Sequence, residues 1–218
     1  MSDDAVLYFT RHGESVANAS DRAGVKRPAD SDRLSDRGWE QARGVGRRLK
    51  GMELELIVCS DSRRARETAE GVAEVLDLPV EVDPDLREVQ QSDAFHAASP
   101  DFGETSNLIW MPGSPPDFAE RGAESFNDIV ARVQTVQERL SERAAAQHIV
   151  AVSHFGFLHY FLGATLFGED FAPEHVPKLY RAGHANTGIT IFERRRRALD
   201  GLVFDGWSLT TWNDQAHL

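Results

Sequence analysis

The 218-residue chain holds one cysteine, Cys59, so it can form no internal disulfide and must rely on a packed core. It has no stretch near the ~20 apolar residues that cross a bilayer. Its N-terminus, Met1-Ser2-Asp3-Asp4, lacks the basic start and long apolar run of a secretory leader. Positive charge is scarce: 24 Lys+Arg face 35 Asp+Glu, a net charge of -11. A surface that acidic repels nucleic acid and anionic membranes, so neither is an expected partner, and the expected location is the cytoplasm. Any pocket for an anionic ligand must be a local positive island, which gives significance to arginines beside a nucleophile. Glycine (17) and proline (9) stand at ordinary levels, which excludes fibrous and low-complexity chains. With 41% hydrophobic residues, residues 1–218 suffice for one α/β domain and are few for two.

Three short apolar runs rich in β-branched residues read as buried parallel strands: Ala5 to Phe9, Leu54 to Val58 and Ile149 to Val152. Each passes into a polar cluster and then a helical pattern. Ser35 reads as the N-cap of a helix to about Leu49, with Trp39, Ala42, Val45, Gly46 and Leu49 inward. Further helices are predicted from about Ser62 to Leu76, from about Glu124 to Ala146, and from near Gly156 to Gly168. Gly188 to Phe192 and Leu202 to Leu209 read as a late hairpin around the charged turn Glu193-Arg194-Arg195-Arg196-Arg197. Residues 89–121 have no clean period, and a connection that long reads as a lid or substrate loop. The expected fold is a three-layer α/β/α sandwich around a mostly parallel, doubly wound sheet with a late antiparallel strand or hairpin.

Open α/β sheets bind ligands beyond the carboxyl ends of their strands. Those ends here read Thr10-Arg11-His12-Gly13-Glu14, Cys59-Ser60-Asp61-Ser62-Arg63-Arg64 and Ser153-His154-Phe155-Gly156. Two imidazoles, several guanidiniums and helix N-termini would meet in one crevice, a combination suited to a phosphate. Neutral imidazole is a competent nucleophile toward phosphorus. The cationic neighbours disfavour a charged His12 and so keep it nucleophilic.

Arg11-His12-Gly13-Glu14-Ser15 with Asn18 resembles the signature of the histidine phosphatase superfamily, which includes the phosphoglycerate mutases. Five further blocks are similar to that family and occur in its order: Leu34-Ser35 with Gly38, Gln41 and Ala42; Ser60 through Ala69; Leu86-Arg87-Glu88; Gly122 with Glu124-Ser125; and Val152-Ser153-His154. Asn186, Asn213-Asp214 and His217-Leu218 also fall where the phosphatase branch has them.

The resemblance implies a phosphoglycerate mutase-like fold and a phosphomonoester hydrolase that works through a phosphohistidine on His12. Arg11, Arg64 and His154 would bind and stabilise the phosphoryl oxygens. Glu88 would protonate the leaving alcohol and then activate water. Asn18 would be a further phosphate or His12 contact, and the Gly13 carbonyl would fix the His12 tautomer. Phe155 stands where many relatives have glycine, so its amide would reach phosphate and its ring would narrow the pocket. No metal or other cofactor is implied, and the expected partner is a small phosphorylated metabolite.

Three alternatives stay open: a mutase-type phosphotransferase, a catalytically idle phosphate-binding module, and a supporting or substitute acid such as Asp93. His148, His159, His175 and His184 lack metal-ligand spacing and read as solvated or core residues. His96 could touch substrate, and Phe95, Trp110 and Phe118 could pack a lid or a minor core. The sheet edge or the late hairpin could pair two copies into a homodimer.

Overall fold

In the computed structural model the run Ala5–Arg11 forms β1, followed by α1 (Val16–Ala23), α2 (Asp36–Leu49), β2 (Leu56–Cys59), α3 (Arg63–Leu76) and β3 (Val80–Val82). After a 3-10 turn at Pro84–Leu86 come α4 (Phe126–Ala144), β4 (Ile149–Ser153), α5 (Phe155–Phe167) and α6 (Val176–Leu179). The last strands are β5 (Ile189–Arg194), β6 (Arg197–Leu199), β7 (Leu202–Phe204) and β8 (Trp207–Asp214). The structure describes residues 5–91, 115–119, 122–145, 147–194, 197–199, 202–204 and 206–218.

Six strands form one sheet in the order β3-β2-β4-β1-β5-β8. The first four pair in parallel, whereas β5 runs antiparallel to both β1 and β8. Alternation along the strands feeds two cores. Leu7, Phe9, Ile149 and Ala151 pack with Val133 and Leu140 of α4 and with Phe157 and Phe161 of α5. On the other face Ile57, Val150 and Val152 pack with Val45 and Leu49 of α2 and with Ala65 and Val72 of α3. Helices on both faces of a mixed, mostly parallel sheet make the three-layer sandwich that the sequence implied.

The helix starts follow their caps. The Ser35 hydroxyl accepts from the Gly38 amide at 3.1 Å. Ser125 and Asp128 form a reciprocal capping box at the start of α4. α5 is apolar on every side, and Gly156 through Gly163 are all buried, as befits a helix enclosed between the sheet and its neighbours.

Three expectations change. Helix α1 is absent from the periodicity reading because it buries only Ser20; the Ser15–Asn18 capping box starts it and Gly24 ends it. The proposed strand Leu202 to Leu209 is two strands, β7 paired with β6 and β8 paired with β5. Its charged "turn" is partly strand, because Glu193 and Arg194 are paired on both sides, with Val6 and Ala5 of β1 and with Ser208 and Trp207 of β8. Of the 89–121 segment, only residues 89–91 and 115–119 are described. The lid expectation, and with it Asp93, Phe95, His96 and Trp110, lies outside the described residues. Among the described residues no helix is long and apolar enough to cross a membrane.

Candidate active site

The strand register brings the three polar ends to one edge. Arg11 stands opposite Ser153 and Cys59 opposite Val152, so His12, Ser60 and His154 leave the sheet side by side. The His12 amide donates to the Ser153 carbonyl at 2.9 Å. The two imidazole rings lie 5.2 Å apart between centroids, and both are buried.

The partners of each ring fix its proton. His12 Nδ1 lies 2.7 Å from the Gly13 carbonyl. A carbonyl only accepts, so Nδ1 carries the hydrogen and Nε2 keeps a free lone pair. His154 Nδ1 lies 3.0 Å from Arg64 Nη2. A guanidinium only donates, so this nitrogen accepts, and His154 Nε2 donates to Ser60 Oγ at 2.8 Å. Both imidazoles are driven well below the usual histidine pKa, first by burial and then by Arg64 and Arg11. The two rings are therefore neutral at neutral pH, and the Gly13 hydrogen bond only partly opposes this for His12.

The loop that carries His12 is seated by close backbone packing. Gly13 has no room for a side chain, since a Cβ would stand 2.6 Å from the Gly38 carbonyl. The Gly13 amide donates to Thr68 Oγ1 at 2.9 Å, and that hydroxyl donates to the Arg64 carbonyl at 2.6 Å. Asn186 Nδ2 donates to the His12 carbonyl at 3.0 Å and to Asn18 Oδ1 at 3.2 Å. Asn18 Oδ1 also receives the Ser15 amide at 3.2 Å, which leaves the NH2 of Asn18 as its means of gripping an anion.

Each arginine is held from behind. Arg11 Nη1 donates to the His184 carbonyl at 2.7 Å, and its guanidinium carbon lies 5.3 Å from the centre of the Phe155 ring. Arg64 Nη1 pairs with Asp32, whose other oxygen accepts the Arg63 amide at 2.9 Å. Glu88 acts on the Arg11 charge as a favourable neighbour. Its Oε1 accepts the amides of Val89 at 2.9 Å and Phe157 at 3.2 Å, which leaves Oε2 for proton transfer. Gly156 makes this approach possible: a Cβ there would lie 2.6 Å from Glu88 Oε1.

His12, Arg11, Arg64, His154, Glu88 and Asn18 thus gather at one edge of the sheet. The Phe155 ring is engaged by Arg11, by His159 at 4.2 Å and by Tyr180 at 5.2 Å, so it supports Arg11 from inside the fold. Two histidines read as solvated or core residues, His159 and His184, are buried beside the site. Sequence reasoning gave no role to Thr68 or Asp32. Thr68 lies one turn beyond Arg64 on α3, a spacing that places both on one helix face. Asp32 sits in an irregular stretch with no comparable signal. Among the described residues no group of three His, Cys, Asp or Glu side chains could hold a metal ion.

Known proteins resemble this chain over most of its length. Adenosylcobalamin/alpha-ribazole phosphatase of Escherichia coli K12 is 31% identical over 160 residues, 70% of this chain and 74% of its own. "Probable phosphoglycerate mutase GpmB" of Erwinia tasmaniensis is 37% identical over 97% of this chain and 94% of its own. A solved structure of mycobacterial glucosyl-3-phosphoglycerate phosphatase with inorganic phosphate superposes with a TM-score of 0.70 at 27% identity, covering 98% of this chain and 99% of that one. The model of the histidine phosphatase superfamily, branch 1, matches residues 7–215. The chain belongs to that superfamily.

Proposed function

We propose that the protein is a phosphomonoester hydrolase that forms a phosphohistidine on His12 and passes the phosphoryl group to water. One observation carries the reading: a buried, neutral His12 has its Nδ1 hydrogen on the Gly13 carbonyl and so keeps the Nε2 lone pair beside Arg11, Arg64 and His154. The Nε2 pair attacks phosphorus, and the bond from phosphorus to the ester oxygen breaks. Glu88 gives its proton to that oxygen as it leaves. Arg11 and Arg64 carry the charge that spreads over the remaining phosphoryl oxygens. A water then attacks phosphorus and loses a proton to Glu88. The phosphorus–nitrogen bond breaks and its electron pair returns to His12.

The guanidiniums supply the positive charge, so the reaction is expected to proceed in EDTA. The phosphatase names of two relatives support water as the acceptor. The relative named as a mutase favours a second reading, transfer to another phosphoglycerate. The test is turnover of p-nitrophenyl phosphate in EDTA, beside a mutase assay primed with a bisphosphoglycerate. The expected result is hydrolysis that His12→Ala lowers by several orders of magnitude, with no primed mutase turnover. Mutase turnover faster than hydrolysis, or a His12→Ala variant as active as the parent, would overturn the reading.

A further inference from the structure

Two buried polar atoms near the site have no hydrogen-bond partner among the described residues, Arg11 Nε and His159 Nε2. They are opposite in kind. An arginine Nε always carries hydrogen. His159 Nδ1 lies 2.7 Å from the Phe155 carbonyl, which can only accept, so the ring proton sits there and Nε2 is a bare acceptor. Burial above all, opposed by the Phe155 hydrogen bond and aided by the Arg11 charge, brings the His159 pKa down to about 4, so the ring is neutral at neutral pH. As plain core filling this is a poor choice, because an unmatched buried nitrogen costs stability that leucine or phenylalanine would not.

The packing around these atoms closes on itself. Arg11 lies against the Phe155 ring, and that ring lies 4.2 Å from His159. His159 meets Trp212 edge-on at 5.1 Å, and Trp212 meets His184 edge-on at 4.9 Å. The His184 carbonyl accepts from Arg11 Nη1 at 2.7 Å. The chain of contacts leaves the guanidinium through one face and returns to it through a hydrogen bond. Tyr180 braces the middle, 4.9 Å from His159 and 5.2 Å from Phe155.

The geometry points to His159 as a positioning residue for Arg11: it joins the Phe155 side and the Trp212–His184 side of this circuit and so fixes how the guanidinium meets the phosphoryl group. The inference rests on the phosphatase reading above, in which Arg11 grips phosphate. A side chain that acts only through Arg11 must lose its effect when Arg11 is gone.

The test is a double-mutant cycle with p-nitrophenyl phosphate as substrate and inorganic phosphate as competitive inhibitor, with thermal melts to check folding. His159→Leu is expected to raise both KM and the phosphate Ki about tenfold in the parent, and less than about twofold in an Arg11→Ala background. His159→Gln, which keeps a donor and an acceptor, should stay within about threefold of the parent. Equal effects in both backgrounds, or an unchanged Ki in folded His159→Leu, would overturn the role. Should His159→Leu fail to fold, Trp212→Leu cuts the same circuit from a half-buried position and carries the same expectation. A parent that neither hydrolyses the ester nor binds phosphate would instead refute the phosphatase reading.

Discussion

Thr68 ties the arginine-bearing helix to the histidine loop with one hydroxyl, accepting from Gly13 and donating to the Arg64 carbonyl. It is fully buried, so Thr68→Val leaves the Gly13 amide without an acceptor at a cost of about 1–3 kcal/mol. Denaturant midpoints should show that loss, and kcat should fall as the His12 loop loosens; a variant with parental stability and kcat would deny the link. Residues of this kind explain what the sequence could and could not say. Arg11, His12 and His154 were legible as ionisable groups clustered at the ends of buried strands, and Arg64, in the first turn of α3, through the family resemblance of its block. Asp32 was not, since its value lies in reaching Arg64 across space, and no pattern along the chain encodes that.

At the level of elements, α5 both fills the core and admits the Glu88 carboxylate. Its first turn presents the Phe157 amide to Glu88, and Gly156 leaves the space through which Oε1 arrives. Gly156→Ala is therefore expected to displace Glu88 and lower kcat by at least about tenfold, while the phosphate Ki changes little. Steady-state kinetics with inorganic phosphate as inhibitor separates the two, and an unchanged kcat would remove Glu88 from the chemistry. β1, β2, β4, β5 and α2 to α5 could be read from the sequence because their apolar periods and caps point to one answer, whereas β3, three exposed residues, offered no buried apolar run. α1 escaped because its burial is limited to Ser20, so a capping box without an apolar stripe was its whole signal. The last strands were misdrawn for a different reason. A run of charged residues reads as a turn, yet Glu193 and Arg194 lie in a strand whose backbone is paired on both edges.

Across the whole molecule, the site is built from stretches far apart in sequence, and its histidines are buried uncharged. The pKa values of His12 and His154 lie well below the usual value, His159 near about 4 and His184 near about 3. In the unfolded chain the same groups take up protons near pH 6.5. The unfolded state thus binds more protons below that pH, and stability present above it is lost as the pH falls toward 4. In that window each histidine contributes a slope that rises toward a limit of about 1.4 kcal/mol per pH unit. Thermal melts at pH 7, 6 and 5 should show a steadily falling Tm, whereas a flat Tm would contradict the buried neutral rings. On the proposed mechanism, the low His12 pKa should also keep activity below about pH 6.5, until protonation removes the proposed nucleophile. The central claim, that the free nitrogen of His12 takes the phosphoryl group, is tested most directly by trapping the phosphoenzyme and locating its phosphorus by NMR and peptide mass spectrometry. The expected adduct is acid-labile and alkali-stable, sits on Nε2 of His12, and is absent from His12→Ala. Phosphorus on Nδ1, on another residue, or on no residue during rapid turnover would contradict it.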